Sequence, residues 1–286
     1  GGSKRIVSNS SNAETTDVNR LTSFDTGGFT LGTDGDCNGD GKDFVAWCFK
    51  ANGGTTSSNT DGTITSTVQA NTDAGFSIVK YVGNGSASQT YGHGLGVKPD
   101  MIITKELDSA TYAWTVWHKD LTSDNYFLKL NASDAQGDGL GTAFNSGISS
   151  SVVGIGNSGQ VNKNSSNYIS YCFADIDGFS KIGSYTGNGS NDGPIVETGF
   201  EPAFVMIKDA SEAHSWTIHD NARDTTNPRK KYVLPSASNV EAADLNGINF
   251  YSNGFQLLDD YQYYNKSGNT YIYIAFAADP DTEAPT

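Results

Sequence analysis

The chain has 286 residues, with 18 Lys and Arg against 32 Asp and Glu for a formal net charge of −14, and is 11% aromatic but only 17% charged. Gly, Ser, Thr and Asn together supply 116 residues, a composition of turns and strands that excludes long solvated helices, while the aromatic content excludes a disordered acidic tail. The acidic balance, with no basic cluster larger than Arg229-Lys230-Lys231, argues against a nucleic-acid partner, and no apolar run has the length to span a bilayer. The length allows two or three small domains, each with its own core. Three cysteines (Cys37, Cys48 and Cys172) are too few for a disulfide framework and lack metal-ligand spacing. They read as reduced packing residues.

In chain order, the first signals are short. Arg5-Ile6-Val7 reads as a strand, followed by Phe24-Asp25-Thr26-Gly27-Gly28-Phe29, whose glycines mark a hairpin. The acidic loop Asp34–Asp43 leads into Phe44-Val45-Ala46-Trp47-Cys48-Phe49, which alternates like a strand. Residues 51–74, rich in Gly, Ser, Thr and Asn, read as a linker. Gly75-Phe76-Ser77 then opens a strand that ends at Tyr81 and turns through Gly83-Asn84-Gly85, where Asn and Gly accept positive φ. An apolar strand, Met101-Ile102-Ile103-Thr104-Lys105, precedes Trp114-Thr115-Val116-Trp117, and Tyr168–Phe173 forms a last strand.

The same series then recurs. Gly178-Phe179-Ser180, Gly187-Asn188-Gly189, Phe204-Val205-Met206-Ile207-Lys208, Trp216-Thr217-Ile218-His219 and Tyr271–Phe276 follow in the same order. Phe76 and Phe179 stand 103 positions apart, as do Tyr168 and Tyr271. Phe44–Phe49 repeats the last strand a third time, so either the chain opens inside a repeat whose first half lies upstream, which is the expectation, or the folding unit is phased differently from the sequence repeat. The expected organisation is the second half of a first repeat at 1–50, a linker at 51–74, repeats at 75–177 and 178–279, and a tail at 280–286. Amphipathic helix is absent apart from a turn near Val240–Asp244. About seven strands per hundred residues is the size of an antiparallel sandwich, so the fold expected is all-β, as tandem antiparallel β-sandwich repeats with an incomplete first copy.

The patterns Gly-Phe-Ser with Tyr-x-Gly-Asn-Gly (178–189), Gly-Phe-x-Pro-x-Phe-Val-x-Ile-Lys (199–208), Trp-x-Ile-x-Asp-x-x-Arg (216–223) and Tyr-Ile-x-x-x-Phe-Ala (271–277) resemble repeat domains of unknown function in tail-fibre and appendage proteins of marine bacteriophages. The earlier copy departs from the pattern, with Trp117-His118 in place of His219-Asp220 and Leu121 in place of Arg223. The resemblance covers nearly the whole chain. It implies a virion-surface, extracellular component with a lectin-like, jelly-roll β-sandwich, and transfers no catalytic residues.

Several motifs suggest chemistry. Asp34, Asp36, Asn38 and Asp40 alternate as the oxygen ligands of calcium would, and match the first half of an EF-hand loop. The twelfth position is Val45 instead of a bidentate Glu, and the equivalent loops, 158–167 and 261–270, hold no acidic cluster. Gly154-Ile155-Gly156-Asn157-Ser158-Gly159 spells a dinucleotide fingerprint, but that reading needs a helix to meet the phosphates, and the following Gln160-Val161-Asn162-Lys163-Asn164 reads as turn and strand. The four histidines recur at no common position, and no Gly-x-Ser-x-Gly elbow is present. Sugar binding fits better, because aromatic faces stack on sugar rings while Asp and Asn fix hydroxyls. The expected contacts are Asp259, Asp260, Tyr261 and Tyr263 in one variable loop, with Trp117 and His118 read as exposed.

These readings lead to an expectation of a non-enzymatic virion appendage protein: a structural spacer and host-surface adhesin acting as a homo-oligomer with other virion subunits. A host glycan is the expected ligand. The competing readings are a secreted bacterial carbohydrate-binding module and a glycan depolymerase working through two carboxylates.

Overall fold

The computed structural model describes residues 3–278. In chain order the first strands are β1 (Lys4–Arg5), β2 (Thr15–Thr16), β3 (Leu21–Asp25) and β4 (Gly28–Leu31). A one-turn helix, α1 (Gly35–Asn38), precedes β5 (Ser57–Asn59), β6 (Ser66–Asn71), β7 (Phe76–Val82) and β8 (Gln89–Gly92). Next come β9 (Met101–Glu106), β10 (Thr115–His118), β11 (Tyr126–Lys129), β12 (Gly137–Asp138) and β13 (Val152–Ile155). A second single turn, α2 (Gly159–Asn162), leads into β14 (Asn167–Phe173) and β15 (Ser180–Thr186). The chain continues with β16 (Ile195–Glu197), β17 (Pro202–Asp209), β18 (Thr217–Asp220) and β19 (Arg229–Tyr232). It closes with β20 (Ala242–Tyr251), β21 (Gly254–Leu257) and β22 (Thr270–Ala277).

The architecture is all-β, with every strand pair within the sheets antiparallel. The largest sheet runs β12-β11-β10-β9-β14-β7-β6-β5, and a second runs β15-β22-β17-β18. In each, the tyrosine-rich last strand is central: β14 lies between β7 and β9, and β22 between β15 and β17. Smaller sheets, β13-β8 and β16-β21-β20-β19, cover one face of each large sheet. The first covered face holds Tyr81, Tyr91, Tyr168 and Cys172, and the second holds Val205, Phe250, Phe255, Tyr271 and Ala275. A third core lies between the two large sheets and draws Met101, Trp114 and Phe173 together with Met206, Trp216 and Ile274.

Both faces of the central strands are therefore buried, and this changes several expectations. On β10, Val116 faces the core between the large sheets while Trp117 faces the core under β8 and β13. Trp117 and His118 are 0% and 1% exposed, so neither is the surface contact the sequence suggested. Alternation along a strand names two faces but does not reveal that both are covered.

Residues 51–74 are not a free linker, since β5 and β6 extend the large sheet from β7, with Val68 opposite Val79. Ser66 and Val68 point inward, and Ser66 Oγ donates to the Gly92 carbonyl at 2.7 Å. The turn expected near Val240–Asp244 is instead the entry to β20, and the helical turns sit at α1 and α2.

Candidate functional site

Three groups of residues carry chemistry worth weighing: the acidic loop at α1, the buried polar residues of the central strands, and the tyrosine loop before β22.

At α1 the acidic residues serve the backbone and one arginine. Asp34 is the helix N-cap and accepts from Asp36 N at 2.8 Å, as Ser158 at α2 accepts from Gln160 N at 3.3 Å. Arg20 bonds the carboxylate of Asp36 and lies 3.4 Å from that of Asp34. Asn38 Nδ2 donates to the Gly32 carbonyl at 2.7 Å, and Asp40 is exposed. A cap and a calcium ligand call for the same residue type, and here the oxygens of Asp34 and Asp36 face donors.

The Gly-Asn-Gly turns are fastened by buried asparagines. Asn162 Oδ1 accepts from Asn84 N at 2.8 Å, while its Nδ2 donates to the carbonyls of Ser86 at 2.8 Å and Gly156 at 2.9 Å. Asn265 repeats the arrangement, accepting from Asn188 N at 2.9 Å and donating to Ser190 and Asp259 at 2.8 Å each. A Cβ on Gly83 or Gly187 would lie 2.4 or 2.3 Å from the carbonyl oxygen of Lys163 or Lys266, so those positions require glycine.

Sequence reading missed the buried lysines. Lys105 and Lys208 are both 0% exposed, and each ammonium donates to the carbonyl of the next residue, Glu106 or Asp209. Burial lowers the pKa of both, Lys208 to about 8. The signal was their recurrence within apolar strands, which reads equally as an outward-facing polar position.

His219, 0% exposed between Tyr232 and Tyr264, has a ring without hydrogen-bond partners, and burial holds its pKa down to about 3. His118 accepts at Nδ1 from Asp120 N at 3.1 Å, which leaves Nε2 to donate to the Tyr273 carbonyl at 3.4 Å; burial puts its pKa at about 4. Both rings are neutral structural groups at pH 7.

The tyrosine loop remains partly accessible. Asp259 Oδ2 accepts from Asn246 N at 3.3 Å, so this side chain ties the loop to β20. Asp260 is exposed, and Tyr261 and Tyr263 are half-buried, with ring centroids 4.6 Å apart. Tyr264 is fully buried, and its hydroxyl donates to Asp244, whose pKa burial pushes up to about 6. His214 lies 5.8 Å from the Tyr263 ring. Asp209, Glu212 and His214 have ligand-type atoms within 4.8 Å of one another, the one such trio among the described residues.

That trio is already engaged. Asp209 accepts from Ser211 N, Glu212 N, Asn269 Nδ2 and His214 Nδ1, all within 3.0 Å, and Glu212 pairs with Lys266. It is a loop clamp, and its donor set is occupied by protons and ammonium. The accessible surface of this region is therefore Asp260, Tyr261 and Tyr263, standing beside His214.

Fold and site together define an all-β, sandwich-like protein whose polar groups mainly fasten turns and loops. The chain matches the family model described as a domain of unknown function, DUF7483, over residues 1–280, and belongs to that family. No curated protein and no solved structure matches it.

Proposed function

We propose that this chain is a non-enzymatic structural and adhesive segment of an extracellular, virion-surface appendage, built from tandem copies of one β-sandwich unit of jelly-roll, lectin-like type. The observation that carries the reading is the way consecutive segments join. Trp114 Nε1 donates to the Val7 carbonyl at 2.9 Å, and Glu14 N donates to the Leu107 carbonyl at 2.8 Å. The next junction has the same pair: Trp216 Nε1 to the Lys129 carbonyl at 2.9 Å, and Gln136 N to the Ala210 carbonyl at 3.0 Å. Val7 and Lys129 are 122 positions apart, as are Glu14 and Gln136. A joint used twice, over one shared apolar core, favours a rigid spacer. The engaged histidines and lysines leave little for catalysis, which favours binding over turnover.

Host contact is assigned to Asp260, Tyr261 and Tyr263, with Asp259 holding the loop. Each contact is weak, and repetition across a homo-oligomer among other virion subunits supplies avidity. The test is binding of the chain to host surface polysaccharide. Tyr261→Ala with Tyr263→Ala is expected to weaken binding about tenfold or more while no sugar is released. Sugar release abolished by a carboxylate substitution, or binding indifferent to both tyrosines, would overturn the reading.

A further inference from the structure

The unit structure leaves one position open. In the two complete units the last strand, β14 or β22, is held on both sides. Its counterpart, residues 44–50, belongs to no strand ladder among the described residues. Its inner face nonetheless lies against theirs, although Phe49 is 43% exposed where Phe173 is 8% exposed. Phe49 lies 5.8 Å from Phe173 and 5.0 Å from Phe276, which are 6.3 Å from each other, so the three equivalent rings form a triangle.

The other face is bare. Phe44 is 50% exposed where Tyr168 and Tyr271 are fully buried, and Cys48 is exposed where Cys172 and Ala275 are fully buried. The β3–β4 hairpin pairs Phe24 with Phe29 as β20–β21 pairs Phe250 with Phe255, yet Phe24 is 78% exposed and Phe250 only 2%. Asn38 has the position of Asn162 and Asn265. It keeps the bond to the carbonyl six residues back, at Gly32, but has no Gly-Asn-Gly turn to fasten.

We infer that this face is a docking site for the first half of a repeat unit of this same sequence type, whose Gly-Phe-Ser strand pairs with residues 44–50 and whose Gly-Asn-Gly turn is fastened by Asn38. The argument is continuity with the two interfaces already present: the occupant that buries the equivalent face is the same in both, and its chemistry can be read from Ser180–Gly189. By the register of β15 on β22, the incoming strand sets the residue at position 180 opposite Phe49, 182 opposite Trp47 and 184 opposite Val45. Two apolar faces with unpaired strand edges between them are the setting for strand addition. The inference is independent of whether the appendage binds glycan.

The test uses the whole chain with a synthetic peptide of residues 178–209, which carries the pairing strand β15 and also β16 of the covering layer, reading alkylation of Cys48 by peptide mapping. Cys37 and the buried Cys172 serve as internal references. At peptide concentrations up to about millimolar, alkylation of Cys48 is expected to slow about tenfold while that of Cys37 is unchanged. Asn38→Ala, at an exposed position, leaves the fold intact and is expected to remove most of that protection. Unchanged Cys48 reactivity overturns the inference, as does equal protection in Asn38→Ala. Protection that rises with chain concentration alone, with a doubled solution mass, assigns the face to a second copy and also overturns it.

Discussion

Residues 3–50 and residues 126–174 carry closely matching sequence signals and meet different fates. Both have the one-turn helix with its N-cap, the asparagine that closes it, and the alternating apolar sequence that follows. Only the second has flanking strands, and there Tyr168 and Cys172 are buried where Phe44 and Cys48 are exposed. The local motif therefore specifies the turn and the alternation, while burial and pairing come from the strands laid against it, β7 and β9 around β14. Local signals set conformation, and non-local partners supply the apolar burial that stabilises it.

The comparison is most easily broken at the hairpin phenylalanines. Phe250→Ala should cost about 3–5 kcal/mol in urea unfolding, whereas Phe24→Ala should cost under about 0.5 kcal/mol. Equal costs would mean that Phe24 is covered in solution. The asparagines sharpen it next. Asn162→Ala or Asn265→Ala leaves buried backbone groups unpaired and should cost about 2–3 kcal/mol, against about 0.5 kcal/mol or less for Asn38→Ala.

Two buried histidines contribute to the acid-side pH dependence of stability. His118 and His219 have folded pKa values of about 4 and 3, below the unfolded 6.5, so the folded chain binds fewer protons than the unfolded one across that window. Their contribution is fully present above pH 6.5 and is lost as pH falls towards the folded values, by about 2.5 kcal/mol each at pH 4.5. Asp244 acts in the opposite direction, favouring the fold at low pH and losing that effect as pH rises through about 6. Substituting His219→Phe, which keeps the packing between Tyr232 and Tyr264, should flatten the acid limb of a stability–pH curve. The smallest effect is expected at the acidic loop. With Asp34 and Asp36 turned to the cap and Arg20, adding calcium or a chelator should move Tm by less than about one degree.

Much of the fold was legible because its strongest signals are local. The alternation of Tyr168–Phe173 and Tyr271–Phe276 and the Gly-Asn-Gly turns fall where expected. What failed was whatever depended on a second layer. Trp117 read as exposed because a single-sided sheet leaves alternate residues in water, and this strand is covered on both sides. The polar stretch at 51–74 read as a linker because β5 and β6 are rich in Ser, Thr and Asn, and their place is fixed by pairing to β7. At the candidate site, the tyrosine loop was proposed from its difference between equivalent segments, and the structure leaves it partly accessible, while the clamp at Asp209 and His214 lies on another connection and left no spacing signal. The capping role of Asp34 was legible in the sequence, since Ser158 stands at the equivalent position and caps as well.

The most direct test is amide hydrogen exchange followed by peptide mass, comparing residues 44–50 with 168–174 and 271–277 in one sample. Exchange at 44–50 should be fast, while the other two stretches stay protected towards the global unfolding limit. Equal protection in all three would contradict the account, because it would require strand partners for residues 44–50 within the chain itself.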